Sequence, residues 1–182
     1  MEVGITMKQI IAVVATALVL ASPTKAMAEN KNKLVGTWRL VSALSKTDQG
    51  EVNNAPYGEH PGGFVTYTAE GRMIVVVTED GRKPLSVNDR VAAPVEERAQ
   101  AFSTLNAYAG TYTFSGDKVV HHVEIASMPN WVNTDLVRTV KFSGNRVTFI
   151  TPPISRGGVL KTFELTWERV KSSGAKARRS PR

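Results

Sequence analysis

The sequence predicts an all-β protein, an eight-stranded antiparallel barrel with one inserted α-helix at about residues 94–108. Three observations carry this expectation. Apolar and polar residues alternate through most of the chain between residues 34 and 170. Three short glycine-containing turns punctuate the alternation at hairpin spacing. A single segment switches to the helical period.

Residues 34–44 alternate and form the first strand. Residues 63–68 and 72–78 flank Ala69-Glu70-Gly71, a tight hairpin turn. Residues 109–114 and 119–126 flank Ser115-Gly116-Asp117, and 135–142 and 146–151 flank Ser143-Gly144-Asn145, a second and a third hairpin. Residues 160–170 complete a meander of eight strands. Between strands three and four, Val95, Ala99, Phe102, Leu105 and Tyr108 follow helical spacing, with Pro94 at the first turn and Gly110 just past the end. Eight antiparallel strands hide their edges best by closing, and such a barrel holds side chains or one small ligand. The helix then caps a mouth or packs on the wall.

Both ends read as separate from this domain. Lys8, the apolar run 10–21, Pro23 and Ala26-Met27-Ala28 have the layout of a secretory signal peptide cleaved after Ala28. Residues 1–28 are therefore expected to lie outside the fold, 29–170 to form the barrel domain and 171–182 to form a disordered basic tail, with the mature protein periplasmic or secreted. There is no cysteine, which excludes disulfides and a lipid-modified cysteine. The net charge of +7 is not a nucleic-acid signal. Sixteen of the 23 Lys and Arg and 15 of the 16 acids fall within residues 29–170, leaving that domain at +1. No nucleic-acid partner is expected. Lys171, Lys176, Arg178, Arg179 and Arg182 would support at most a weak contact with anionic surfaces, a solvated extension being the plainer reading.

Several motifs, in order, resemble the lipocalin-like domain found in uncharacterised bacterial proteins and in fungal biosynthetic clusters. They are L-V-G-T-W-R-L-V-S at 34–42, P-Y-G at 56–58, G-F-V-T-Y-T-A-E-G-R-M at 63–73, E-E-R-A-Q-A-F at 96–102 and A-Y-A-G-T-Y at 107–112. They continue with V-V-H-H-V-E at 119–124, P-N-W-V-N-T-D-L-V-R at 129–138 and L-T-W-E-R at 165–169. Asn133 stands where the family more often has Gly. The resemblance implies a calycin-like barrel, in which Trp38 of G-x-W plugs one end and Arg169, after Trp167, stacks over it. Trp38, Trp167 and Arg169 are accordingly expected to be structural. Fold alone assigns no ligand.

Candidate site residues cluster between residues 108 and 138. In the strand 119–126, His121 and His122 point to opposite faces and cannot chelate one metal together. His122 and Glu124 share a face, but no third ligand is evident in spacing and His60 sits in a Pro/Gly loop, so neither a metal nor a cofactor is expected. Arg138 shares a face with Leu136, Val140 and Phe142, so its guanidinium needs a partner; Glu124 on the preceding strand is the natural counter-ion. Such a pair serves either as structure or as an anchor for a ligand's carboxylate, carbonyl or hydroxyl. Trp131 lies in a loop where a large aromatic lines a mouth, and Tyr67 and Tyr112, with Tyr57 and Tyr108, are further lining candidates. Which face of 119–126 turns inward is open; with His121 inside, the site moves by one residue.

No nucleophile elbow, phosphate loop or dinucleotide fingerprint is present. The expectation is an exported binder of a small, largely apolar or amphipathic molecule with one polar or anionic group, contacted by His122, Glu124, Trp131, Arg138, Tyr67 and Tyr112. One alternative is a cofactor-free isomerase or cyclase using His122 or Tyr112 as acid/base. The other is an envelope structural or stress protein without a small ligand.

Overall fold

The computed structural model describes residues 33–171. The expected signal segment 1–28 and all but the first residue of the expected tail 171–182 lie outside the described residues. The described strands are β1 (Gly36–Thr47), β2 (Val52–Asn53), β3 (Gly62–Tyr67), β4 (Arg72–Thr78), β5 (Leu105–Ser115), β6 (Lys118–Ala126), β7 (Asp135–Ser143), β8 (Arg146–Ile150), β9 (Ile154–Arg156) and β10 (Val159–Arg169). A helix, α1 (Val95–Ser103), precedes β5, and a 3₁₀ turn, Pro129–Trp131, joins β6 to β7.

Eight of these strands close on themselves. Antiparallel pairing runs β1, β3, β4, β5, β6, β7, β8, β10, and β10 returns to β1 through nine paired positions from Trp38↔Arg169 to Thr47↔Lys161. Closure removes the unpaired edges that an open sheet would expose. All eight expected strands are present. The short strands β2 and β9, not anticipated, pair with the same end of β1 and β10. The turns follow their glycines: Gly71, Gly116 and Gly144 have φ of 88°, 61° and 58°. Ser115↔Lys118 and Ser143↔Arg146 then leave two-residue loops, where that left-handed backbone suits the strand twist.

The helix corrects one boundary and one role. Leu105 and Tyr108, expected in its last turns, belong to β5, where they face Thr78 and Val75 of β4. Their spacing fits either period; the β4 ladder and burial of Tyr108 decide it. None of the residues of α1 is buried, so little apolar contact rewards its extension. Gly110 is therefore not a helix-ending glycine. It sits at a β-bulge, facing Val123 while Ala109 faces Ile125, which leaves Glu124 as the extra residue of β6. A Cβ on Gly110 would lie 1.9 Å from the His122 carbonyl oxygen.

Inward positions alternate along each strand, giving Val65 and Tyr67 on β3, Met73, Val75 and Val77 on β4, and Val119, His121 and Val123 on β6, all 5% exposed or less. Each large apolar side chain removed from water contributes about 1.5–3 kcal/mol. One end of the barrel is plugged. Trp38 Nε1 donates to Leu34 O at 2.8 Å, and the Arg169 guanidinium lies 4.0 Å over the Trp38 ring while donating to Val35 O at 2.7 Å and to Lys33 O. Gly36, at φ 130°, permits this approach, since a Cβ there would lie 2.6 Å from Arg169 Nη1. Asn133 has φ 61°, which accounts for a side chain tolerant of the left-handed region at that turn.

Candidate functional site

The interior is not completely filled. A cavity of about 230 Å³ opens at the end opposite Trp38. Its walls are the inward faces of several strands, with Val65, Val75, Val77, Phe149, Phe163 and Leu165 supplying the apolar surface. Met128 and Trp131 from the β6–β7 loop, Ser103 at the end of α1, Asn106 near the start of β5, and Ile154, Ser155 and Arg156 from β9 form its rim. Tyr108, His121, Arg138 and Trp167 from the strands, Thr151 just past β8 and Tyr57 from the loop between β2 and β3 are the other residues with polar groups that line it. None of the residues lining it is acidic.

His121 is the centre of the polar arrangement. Tyr67 Oη lies 2.7 Å from its Nε2 and Tyr108 Oη 3.0 Å from its Nδ1. The imidazole is 2% exposed. Burial, reinforced by the positive charge of Arg138 and then by His122, lowers its pKa from 6.5 to about 3, so the ring is neutral at physiological pH. A neutral ring donates through one nitrogen and accepts at the other. Among the described residues His121 is the one hydrogen-bond partner of the Tyr67 hydroxyl, which does not line the cavity, so a Tyr67 that merely accepted would leave its buried proton unmatched. Tyr67 therefore donates to Nε2, and Nδ1–H donates to Tyr108 Oη. Burial raises the Tyr57, Tyr67 and Tyr108 hydroxyls above their ordinary value, and for Tyr108 the charge of Arg138 acts against this, so all three remain protonated at neutral pH.

Arg138 projects from β7 on the face it shares with Leu136 and Val140. Its Nη1 donates to Val137 O at 2.8 Å, and its positive charge acts on the Tyr108 hydroxyl. The expected ion pair with Glu124 does not form. Glu124, the bulge residue, is turned outward and makes a two-point pair with Arg72 at 2.8 and 2.8 Å. Among the described residues Arg138 has no carboxylate within ion-pair distance. Arg156 is different: it lies 4.7 Å over the Tyr57 ring and pairs with Glu79 across the rim.

The remaining expected contacts fall on both sides of the wall. Trp131 lines the cavity, edge-on to Tyr108 at 5.7 Å between centroids. His122 is on the outer face, bonded to Asp135 at 2.7 Å and facing Thr113 Oγ1 at 3.2 Å. Tyr67 and Tyr112 are core residues that do not line the cavity; Tyr112 donates to Thr68 O at 2.9 Å and meets Tyr67 edge-on at 4.8 Å. The acid/base reading thus loses both its named groups from the cavity, and the imidazole that does line it is held neutral. Trp167, expected to be structural, lines the cavity, and its Nε1–H has no hydrogen-bond partner among the described residues.

The sequence matches the family model of the lipocalin-like domain over residues 35–170. The chain belongs to the lipocalin-like domain family. The 4'-hydroxy-3'-methoxypropiophenone carrier protein of Aspergillus oryzae is 32% identical over 84 residues, 41% of this chain and 76% of that protein. Among solved structures, a lipocalin-like protein of Bacteroides uniformis aligns over 75% of this chain and 98% of its own at 12% identity and a TM-score of 0.37. An uncharacterized protein of Bacteroides eggerthii aligns over 75% and 99% at 9% identity and a TM-score of 0.38.

In this lipocalin-like domain, sequence reasoning missed Arg156 and Trp167 as cavity residues, favoured His122 over His121, which it left as the alternative, and named Tyr108 only among the further lining candidates. One signal for His121 was available. Its nearest neighbours on the same face, Val119 and Val123, are apolar, whereas His122 shares its face with Glu124. Arg156 offered no signal, because β9 has only three residues.

Proposed function

We propose that this lipocalin-like protein is an exported carrier that binds a small, largely apolar molecule inside the barrel through an oxygen presented to Arg138. The observation that carries the reading is an apolar cavity of about 230 Å³ with a guanidinium and no lining carboxylate. The volume lies below the range of about 300–1,000 Å³ common for drug-sized ligands, which favours a one- or two-ring molecule. The likeness to a fungal protein named as the carrier of an aromatic ketone supports a carrier role. Export is supported by Lys8, the apolar run 10–21 and the Ala26-Met27-Ala28 pattern.

Native mass spectrometry of the protein gently purified from its own envelope tests this. The expected result is a co-purifying small mass, lost or at least about tenfold more weakly held in Arg138→Ala, as removal of a charged hydrogen bond implies. A protein free of any bound mass, whose tryptophan emission responds to no small aromatic or amphipathic compound in titration, would overturn the proposal.

A further inference from the structure

The cavity's hydrogen-bonding groups are unbalanced towards donors. Nδ1–H of His121 is used on Tyr108 Oη, so that oxygen accepts from the ring and its own O–H is left to donate into the cavity. Arg138 stands beside it. A half-buried guanidinium without a carboxylate lies in a medium where attraction to an anion is several times stronger than in water. The other cavity arginine, Arg156, is already neutralised by Glu79. Tyr57 is a protonated hydroxyl and His121 is neutral, so the charged and titratable groups facing the ligand space leave one uncompensated positive charge, on Arg138.

The form of the matching anion follows from the guanidinium's other bonds. Nη1 is engaged with Val137 O, so the two-pronged fork that grips a carboxylate is partly occupied. A single oxygen can take one remaining guanidinium N–H together with the Tyr108 O–H. Aromatic side chains dominate the surroundings: Tyr57, Tyr108, Trp131, Phe149, Phe163 and Trp167 all line the space. Trp167 is 2% exposed and supplies part of this aromatic wall at a different position along the cavity: its row-mates Val147 and Phe142 place it four residues along β7 from Arg138.

We propose that the cavity selects small aromatic molecules with an acidic hydroxyl, held as the oxyanion on Arg138 and Tyr108. This rests on the reading of the barrel as a small-molecule carrier and narrows it to one class, acidic phenols and their enolic analogues.

Three probes of one shape separate the possibilities: 4-nitrophenol, its methyl ether 4-nitroanisole, and 4-nitrobenzoate. Affinities are read by calorimetry, and ionisation of the phenol by its absorbance, on the mature protein. The expected result is that 4-nitrophenol, above its own pKa, binds at least about tenfold more tightly than the ether, and that its ionisation on the protein moves down by about one pH unit. Arg138→Gln should erase that preference while keeping the ether's affinity; Tyr108→Phe should reduce it; Trp167→Phe should weaken all three and leave their order unchanged. Equal binding of phenol and ether would overturn the oxyanion and leave the carrier reading intact. Tighter binding of 4-nitrobenzoate would overturn the hydroxyl class. Binding of none of the three would overturn both readings. Should Arg138→Gln fail to fold, Tyr108→Phe decides alone: an unchanged preference there overturns the proposal.

Discussion

His121 and His122 are adjacent and of one kind, yet they occupy opposite environments. His121 is sealed between two tyrosines and held neutral, with a pKa of about 3 against 6.5 in the unfolded chain. Between these values the unfolded state binds a proton that the folded state refuses. The contribution of His121 is therefore fully present above about pH 6.5 and is lost as pH falls towards 3, at a slope approaching 1.4 kcal/mol per pH unit. Urea denaturation from pH 7 to 5 should show this slope, and His121→Gln, which cannot titrate, should flatten it; an identical slope in the variant would mean that the imidazole is not excluded from protonation. On the outer face, Glu124 and His122 have partners of their own in Arg72 and Asp135, half exposed to solvent. The parity of a strand is legible in sequence only as a pair of alternatives. For β6 the wrong member was favoured, because Glu124, on the face of His122, looked like a partner for Arg138, whereas it pairs outside the wall with Arg72.

That bulge shows how one element controls the site. By adding Glu124 to β6, it shifts the pairing by one, so that Ala126 rather than Ile125 stands opposite Tyr108 while His121 stays opposite Tyr112. The close backbone approach requires Gly110, where a Cβ would meet the His122 carbonyl at 1.9 Å. Gly110→Ala should destabilise the barrel by on the order of 3 kcal/mol and weaken ligand binding together with it, measured by thermal melting and by titration. A variant of unchanged stability would show that the strands can separate locally without cost. The strands themselves were legible because two-fold alternation and glycine turns are local signals. The end of α1 was not, because Leu105 and Tyr108 suit both periods and only pairing with β4 selects one.

At the scale of the whole molecule, closure is the decisive event, and it brings the first and last strands together. Arg169 on β10 covers Trp38 on β1 and satisfies two carbonyls of the preceding segment, so one side chain ties the chain's two ends into a plug. Arg169→Ala should cost about 2 kcal/mol, the scale of a desolvated cation–π contact, and should leave the ranking of bound ligands unchanged, since the plug lies at the end away from the cavity mouth. Lost selectivity without lost stability would assign Arg169 to the site instead. The sequence by itself determined the eight barrel strands, the hairpins, the plug and the presence of Arg138 and Trp131 near the site, because each depends on local periodicity, turn chemistry or a contiguous motif. The tertiary structure alone decided which histidine faces inward, that Glu124 pairs with Arg72, and that Trp167 keeps an unmatched N–H beside the cavity. Those outcomes depend on register and bulges between strands distant in the chain, and a one-residue shift of register reverses every side chain that follows.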